Sequence, residues 1–271
     1  MKRIFAVAAA GLFANAVVFG TSFDASANQA RKLAWKQVEG NAFDIGVGGK
    51  NITWKTGGAK SADGFEVFRY GKKFWSKFTG TGLRIDVDPK GVPWIVSASH
   101  KIYRFAGGKW DHLPGRATDI GIGANGAVWI TGTDKVPGGH SIFRWDGKKW
   151  KRVPGGAVRI DVGPDGNPWV VNNKGHVYFY TGQKFHRVPS PRARDIGIGA
   201  KGTVWIVDWF NGKYGGRPWR RQGKNPLFGS WTMFEGQLVN ISVDSKGAPW
   251  GRNKQGKIWA HRRSPVFQRW D

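Results

Sequence analysis

Two series of aromatic residues recur along the chain at nearly constant spacing, and this repeat restricts the possible folds more than any other feature. The first series is Trp35, Trp75, Trp110, Trp150, Phe185 and Trp231. The second series is Trp54, Trp94, Trp129, Trp169, Trp205 and Trp250. The second residue follows the first by 19 positions in five repeats and by 20 in the fifth. Self-similarity with a period of about 40 residues indicates six copies of one supersecondary unit.

Each copy carries the signals of four short β-strands. Strand A is an alternating apolar segment such as residues 85–87, strand B contains the second Trp, strand C is a run such as residues 101–105, and strand D contains the first Trp. A Gly three positions before most of the second Trp residues suits a tight A–B turn. Six units of four antiparallel strands predict an all-β fold, a six-bladed β-propeller that forms one domain over residues 28–271.

Two segments compete to close this ring. Residues 267–270 (FQRW) are similar to the predicted strand D at residues 185–188 (FHRV), so we expect them to form the last strand D. Residues 35–38 are then left as an extra edge strand or a clasping strand. Closure of the ring removes exposed strand edges that would otherwise pair with other chains.

Odd and even repeats differ from each other. Strand A begins with Asp in the odd repeats, at Asp44, Asp119 and Asp195. The even repeats instead place Pro before the second Trp, at Pro93, Pro168 and Pro249. The B–C connections are long and Gly-rich in odd repeats and short in even ones. The pattern predicts three copies of a two-blade unit, with pseudo-threefold symmetry.

The pattern W-x-x-V/L, then I-x-V/I-G-x-x-G-x-x-W and an I-Y/F-R strand, resembles the tectonin repeat of tectonins, tachylectin-type lectins and fish-egg lectins. The resemblance covers nearly all of residues 31–271. It departs from the pattern at Asn51, where the turn Gly is missing, and in the sixth repeat at Ser242 and at Gly251-Arg252. The resemblance implies a six-bladed propeller that binds glycans, including bacterial surface saccharides.

The first residues have the pattern of a bacterial signal peptide. Lys2 and Arg3 precede an apolar run over residues 4–19, and Ala25-Ser26-Ala27 matches a signal-peptidase site. We expect cleavage after Ala27 and a secreted or periplasmic protein. The alternative is a retained membrane anchor, but the run is short for the roughly 20 residues that a spanning helix needs. No later segment is long and apolar enough to span, and we expect a monomer.

The chain is strongly basic and contains no cysteine. Its net charge is +25, which predicts attraction to polyanions such as lipopolysaccharide phosphates, acidic capsules or teichoic acids. The alternative is that the charge only keeps the protein soluble. Nucleic-acid binding by charge alone would be unspecific and would fall steeply with salt. Without cysteine, stability in an oxidising compartment depends on packing alone.

The predicted topology separates two faces of the propeller. In a four-stranded meander the A–B and C–D turns emerge on one side, and the B–C and D–A connections emerge on the other. Lysines concentrate in the first group of turns, and we interpret them as a polyanion-binding lysine face. Its predicted members are Lys50, Lys72, Lys73, Lys90, Lys109, Lys148, Lys149, Lys184, Lys201 and Lys246. The alternative is that lysine simply suits exposed hairpin turns.

The best ligand candidates interrupt the repeat. The second Trp series recurs in every blade, so we predict that it packs between blades and does not stack on sugars. The fifth repeat inserts a loop over residues 208–217 with aromatic, amide and cationic groups, which suit a sugar with an anionic substituent. The predicted ligand residues are Asp208, Trp209, Asn211, Lys213, Tyr214 and Arg217. The alternative is a surface loop whose aromatic residues pack on the blade below.

Nothing in the sequence favours an enzyme, a cofactor or a metal. The six His are dispersed, and H-E-x-x-H and G-x-S-x-G are both missing. Asp86 and Asp161 recur near the predicted axis, where they either hold a cation or, as we expect, accept hydrogen bonds from neighbouring blades. The sequence therefore predicts a lectin-like protein that binds an anionic or modified surface glycan such as lipopolysaccharide. The alternatives are a protein-binding scaffold and a propeller hydrolase or lyase.

Overall fold

The computed structural model describes residues 35–71, 73–262 and 264–268. The predicted signal peptide with its cleavage site at Ala27 lies outside the described residues, and so does Lys72. The described strands form six four-stranded antiparallel sheets, five of which are simple meanders of consecutive strands. This arrangement confirms the prediction of an all-β, six-bladed propeller. Among the described residues, no helix has the length and apolar character needed to span a membrane.

Five blades take their strands A to D in chain order. Blades 1 to 3 comprise β2 (Asp44–Val47), β3 (Thr53–Ser61), β4 (Gly64–Gly71), β5 (Phe74–Gly82); β6 (Arg84–Val87), β7 (Pro93–Val96), β8 (Lys101–Ala106), β9 (Lys109–Arg116); and β10 (Asp119–Ile122), β11 (Val128–Val136), β12 (Gly139–Trp145), β13 (Trp150–Ala157). Blades 4 and 5 comprise β14 (Arg159–Val162), β15 (Pro168–Val171), β16 (Val177–Tyr180), β17 (Phe185–Val188); and β18 (Ala193–Ile198), β19 (Val204–Asp208), β20 (Pro218–Arg221), β21 (Trp231–Met233).

The sixth blade is built from both ends of the chain. Its strands A to C are β22 (Asn240–Val243), β23 (Pro249–Arg252) and β24 (Lys257–His261), and its strand D is β1 (Trp35–Asn41). β1 pairs antiparallel with β24, so that Trp35 lies opposite His261. The segment at residues 35–38 is therefore a clasping strand.

The prediction that residues 267–270 form the last strand D was wrong. Phe267 lies in a short helix, α1 (Pro265–Gln268), and its buried ring stacks on Trp250 with 5.4 Å between the ring centroids. The place of strand D beside β24 is occupied by β1, so residues 265–268 do not add a strand to the sixth blade. Residues 269 and 270 lie outside the described residues.

The second Trp series packs between blades, as predicted. All six of its members are buried, with at most 5% of their surface exposed. Those of the odd blades also donate an indole hydrogen bond to the A–B turn of the next blade: Trp54 to Gly91 O at 3.2 Å, Trp129 to Gly166 O at 3.0 Å and Trp205 to Gly247 O at 3.1 Å. Each of these Trp side chains therefore stabilises the contact between two blades.

The first Trp series forms a second set of links at the rim, which we call the peripheral ladder. Each indole N–H donates to a carbonyl on strand D of the preceding blade or just beyond it. The bonds are Trp35 to Glu235 O at 2.8 Å, Trp75 to Glu39 O at 2.9 Å, Trp110 to Thr79 O at 2.7 Å, Trp150 to Pro114 O at 2.7 Å and Trp231 to Pro189 O at 2.8 Å. Phe185 occupies the remaining position and has no N–H, so the corresponding carbonyl of Pro154 receives no such bond.

Candidate functional site

A ring of alternating charges surrounds the axis. The first axial position of strand A carries, in blade order, Asp44, Arg84, Asp119, Arg159, Asp195 and Asn240. Arg84 lies 3.7 Å from the carboxylates of both Asp44 and Asp119, and Arg159 lies 3.3 Å from Asp195. Each cation or amide thus sits between two acids, which reduces the cost of burying these charges.

The same carboxylates connect the backbones of adjacent blades. Asp44 Oδ2 accepts from Ile85 N at 3.0 Å, Asp119 Oδ2 from Ile160 N at 3.0 Å, and Asp195 Oδ2 from Ile241 N at 2.7 Å. In the next layer Asp86 Oδ2 accepts from Ile122 N at 2.6 Å, Asp161 Oδ2 from Ile198 N at 2.5 Å, and Ser242 Oγ from Val47 N at 3.0 Å. The expectation that Asp86 and Asp161 bond to neighbouring blades is confirmed.

Burial changes the acidity of this axial cluster. It raises the pKa of Asp161 to about 8 and that of Asp195 to about 7. The pKa of Asp86 is also raised well above its usual value, by burial and by the nearby charge of Asp161. Within residues 35–71, 73–262 and 264–268, no group of three His, Asp or Glu is arranged to hold a metal ion.

The sixth blade keeps the charge balance of the ring in a different way. In blades 2 and 4 the axial arginine of strand A lies opposite a valine of strand B in the sheet register. Arg84 lies opposite Val96, and Arg159 lies opposite Val171. In blade 6 the corresponding pair is Asn240 and Arg252, so the arginine has moved to the adjacent strand. Arg252 Nε donates to Phe43 O at 2.8 Å, across the junction with blade 1. The departure from the repeat pattern at Gly251-Arg252 therefore places on strand B the arginine that strand A lacks in this blade.

Three equivalent junctions lie on the side of the B–C connections, each where an odd blade meets the next even one. The B–C connection of the odd blade accepts a backbone hydrogen bond from the short B–C turn of the even blade. The bonds are Ala98 N to Asp63 O at 2.9 Å, Asn173 N to Gly138 O at 2.9 Å and Lys254 N to Tyr214 O at 2.8 Å. This repetition supports the predicted two-blade unit. We number the junctions first (blades 1 and 2), second (3 and 4) and third (5 and 6), and we call the cavities at the last two the second and the third cleft.

The third cleft has a volume of about 690 Å³ and an aromatic wall. Trp35 and Trp259 line it from blade 6, and Tyr214 and Phe234 line it from blade 5. Polar groups surround the rings; they belong to Gln37, Arg217, Glu235, Gln237, Asn253, Gln255 and Lys257. An apolar wall with a few polar groups at its edge is the usual composition of a small-ligand site.

The structure divides the predicted ligand loop into two parts. Tyr214 and Arg217 line the third cleft. Trp209 points the other way, since its indole packs on Gly175 of blade 4 and lies 5.4 Å from the Arg192 guanidinium. Asn211 Oδ1 accepts from Lys254 Nζ at 2.6 Å, and Lys213 Nζ lies 5.4 Å from the Tyr214 ring. For Trp209 the alternative holds, because this ring packs on a neighbouring blade.

Asp208 holds the loop together. It is 3% exposed, and its carboxylate accepts four hydrogen bonds from within the loop and strand C. The donors are Phe210 N at 3.0 Å, Arg217 N at 2.8 Å, Arg217 Nε at 2.8 Å and Trp219 Nε1 at 2.9 Å. Both oxygens are engaged internally, so Asp208 positions Arg217 at the third cleft.

The sequence did not identify several residues that line the third cleft. Trp259 occupies the strand C position that Tyr103 and Tyr178 hold in the other even blades, and this exchange was visible in the repeat. Trp35 was missed because its strand was not assigned to the sixth blade. The D–A connection at Gln237 and Leu238 has no distinctive pattern, so no sequence signal pointed to it.

The predicted lysine face has the expected topology. Its nine described members all lie in or beside A–B or C–D turns, which share one side of the propeller. The opposite side is also basic, since it carries Lys174, Arg187, Arg192 and Lys254. Positive charge is thus not restricted to one side, and polyanion binding by the lysine face stays a prediction.

A ring of six blades, closed by its own first strand and repeating one junction three times, defines a six-bladed β-propeller built from two-blade units. The family model of the Tectonin domain matches residues 84–169 and 157–271. The chain therefore belongs to the Tectonin domain family, which is a lectin-type propeller family.

Solved structures of other propellers are similar to this chain. A streptogramin B lyase structure has a TM-score of 0.54 and 15% identity, and the match covers 83% of this chain and 96% of that one. A structure of YCF48 bound to D1 peptide has a TM-score of 0.53 and 13% identity, over 87% of this chain and 100% of that one. At these identities the similarity shows the fold alone. No protein with a curated description matches the chain.

Proposed function

We propose that this protein is a carbohydrate-binding, lectin-like protein and that the third cleft holds one sugar unit of a surface glycan. The observation that carries this proposal is the aromatic wall formed by Trp35, Trp259 and Tyr214 beside amide and charged groups. The apolar face of a pyranose ring packs well on aromatic rings. Its hydroxyl groups need donors and acceptors at the edge, which the exposed side-chain amides of Gln37 and Gln255 supply.

The cationic groups favour an anionic or modified glycan. Arg217 lines the third cleft, and its side chain is 42% exposed although its Nε donates to Asp208. Lys257 lines the same cleft. An arginine that is already oriented recognises a carboxylate or phosphate substituent with little further loss of freedom. Lipopolysaccharide and acidic capsules carry such groups, and the signal-like N-terminus supports a secreted or periplasmic location where the protein would meet them.

The proposal is tested on a microbial glycan array with the purified protein at low and at roughly physiological salt. We expect discrete binding that survives the higher salt, because stacking and hydrogen bonds are screened less than charge attraction. Trp259→Ala should abolish this binding. Trp259→Tyr is the matched control, since the other even blades carry Tyr there, and it should keep the melting temperature and part of the binding.

Two results would overturn the proposal. The first is binding to anionic samples alone that is lost equally in the unaltered protein and in both Trp259 variants as the salt concentration rises. This result would mean that the net charge is responsible for binding. An array without ligands, together with a protein recovered specifically in pull-down experiments, would favour the scaffold alternative. A bound oligosaccharide that changes with time would instead indicate a hydrolase or lyase.

A further inference from the structure

The second cleft has a different chemistry from the third. It lies between blades 3 and 4 and has a volume of about 490 Å³. Lys174, His176 and Arg187 line it together with Asn173 and Tyr178, and its lining contains no carboxylate. Among the described residues, no Asp or Glu forms an ion pair with Lys174 or Arg187. The cleft therefore holds positive charge that the protein itself does not neutralise.

The effect of this charge is visible at His176. Its pKa is lowered by partial burial and by the positive charges of Arg187, Arg192 and Lys174. Three cations thus act on one imidazole from separate segments of blade 4 and the connection that follows it. An anion placed among them would gain from all three charges.

One equivalent position contributes to the difference in charge. The carbonyl that accepts the repeated inter-blade hydrogen bond belongs to Asp63, Gly138 and Tyr214 at the three junctions. At the first junction the Asp63 carboxylate accepts from Ser99 N at 3.1 Å and supplies negative charge. In the second cleft Gly138 has no side chain, and its φ of +96° disfavours any other residue. The second cleft therefore lacks the carboxylate that the first junction carries.

The B–C turn of blade 4 holds the cationic groups in a fixed arrangement. Asn172 is buried, and its Oδ1 accepts from Lys174 N at 3.0 Å and from His176 N at 2.9 Å. On strand D, Arg187 lies directly opposite Tyr178. The break in the peripheral ladder at Phe185 is next to this position, and Phe185 also lines the cleft.

We propose that the second cleft is a binding site for a phosphate group, carried by a phosphorylated sugar or present as free phosphate. A guanidinium binds two phosphate oxygens at once, and an ammonium and an imidazole add further donors. This site is separate from the third cleft, so it stands or falls independently of the proposed sugar site.

The test is an NMR titration of the protein with inorganic phosphate, at constant ionic strength adjusted with sodium chloride. We expect saturable shifts confined to the amides of residues 172–176 and to the His176 imidazole. Lys174→Gln combined with Arg187→Gln should weaken binding at least ~10-fold, since each exposed charged contact contributes about threefold or more and the two factors multiply. Both substitutions reproduce blade 6, where Gln255 and Gln37 occupy the same positions, so the fold should be preserved.

Arg116→Gln combined with Lys224→Gln is the matched control. It removes the same charge from two exposed positions that lie outside both clefts and the lysine face, and it should leave phosphate binding unchanged. Equal weakening in both double variants, or shifts spread over the whole basic surface, would overturn the proposal. Glucose 1-phosphate and glucose distinguish the source of the phosphate. Tighter binding of the ester indicates a phosphorylated sugar, and equal binding of ester and inorganic phosphate indicates free phosphate. Trp259→Ala should leave these titrations unchanged, which separates this site from the third cleft.

Discussion

Asn240 Nδ2 donates a hydrogen bond of 2.6 Å to Asp44 Oδ1, and it also lies 3.1 Å from Asp195 Oδ2. This single amide connects the axial carboxylates of the first and fifth blades through the sixth. It occupies the place where the other even blades use an arginine. The bond therefore completes the axial ring at the junction where the two ends of the chain meet.

Asn240→Ala should lower the free energy of unfolding by about 1–3 kcal/mol, because two buried carboxylates each lose one of their hydrogen-bond donors. Urea unfolding at neutral pH measures the change. Asn211→Ala, on an exposed loop, should change the free energy of unfolding by less than about 0.5 kcal/mol. A loss no larger for Asn240→Ala than for Asn211→Ala would show that the axial ring contributes little.

Stability should fall as the pH rises from about 4 to about 8. In this range Asp161, with a pKa of about 8, keeps a proton in the folded protein that the unfolded chain has released. Folding then takes up a proton, so the free energy of unfolding decreases as the proton becomes scarcer. Asp195, with a pKa of about 7, contributes over the lower part of the range.

Asp161→Asn should therefore make the pH dependence shallower between pH 5 and pH 8. The measurement is urea unfolding at several pH values in that interval. Asp134→Asn, at an exposed position, should keep the dependence of the unaltered protein. An unchanged slope in Asp161→Asn would mean that this carboxyl is ionised in the folded protein throughout.

Phe185→Trp should stabilise the protein by about 0.5–1.5 kcal/mol, the net value of a typical hydrogen bond. The new indole would donate to Pro154 O, as the five other members of the peripheral ladder donate to their partners. Thermal unfolding provides the measurement. The reverse exchange, Trp150→Phe, should lower stability by a similar amount through loss of the 2.7 Å bond to Pro114 O. A destabilised Phe185→Trp protein would show that the larger ring does not fit the second cleft.

Trp129→Ala should cost about 3–5 kcal/mol, because this ring is 1% exposed and leaves a cavity between blades 3 and 4. Trp209→Ala removes a ring that is 41% exposed, and its effect should be below about 1 kcal/mol. Denaturant unfolding of both variants compares the two roles of Trp directly. Similar losses in the two variants would contradict the assignment of the second Trp series to the core.

The repeat architecture could be predicted from the sequence because the packing between blades requires the same residue types at the same spacing in every repeat. A blade needs an inner Trp such as Trp129 at a fixed register, so its spacing predicts the strand order and the number of blades. The two-blade unit was also readable, since Asp44 and its equivalents alternate with a different residue type. What failed was the closure, because residues 267–270 and 35–38 carry almost the same local pattern. Only long-range pairing, of Trp35 with His261, decides between them.

The candidate clefts were predicted only in part for a similar reason. Tyr214 and Arg217 stood out because they interrupt the repeat, and both line the third cleft. Trp35 and Trp259 belong to the regular pattern, and their position at a cleft depends on which blades meet. Gly138 stands at the position of Asp63 and Tyr214, and a missing side chain is not a motif that a sequence pattern reveals.

The clasp between β1 and β24 sets the order of events during synthesis. Among the described strands β1 is made before all the others and its partner β24 after all of them, so the sixth blade remains incomplete until β24 emerges. Until then both edges of the growing ring are unpaired, and they are the surfaces on which β-proteins aggregate. Joining such distant segments carries a large loop-closure entropy, which makes it the slow step expected for this topology. The ring of six blades can therefore close only after β24 has been made.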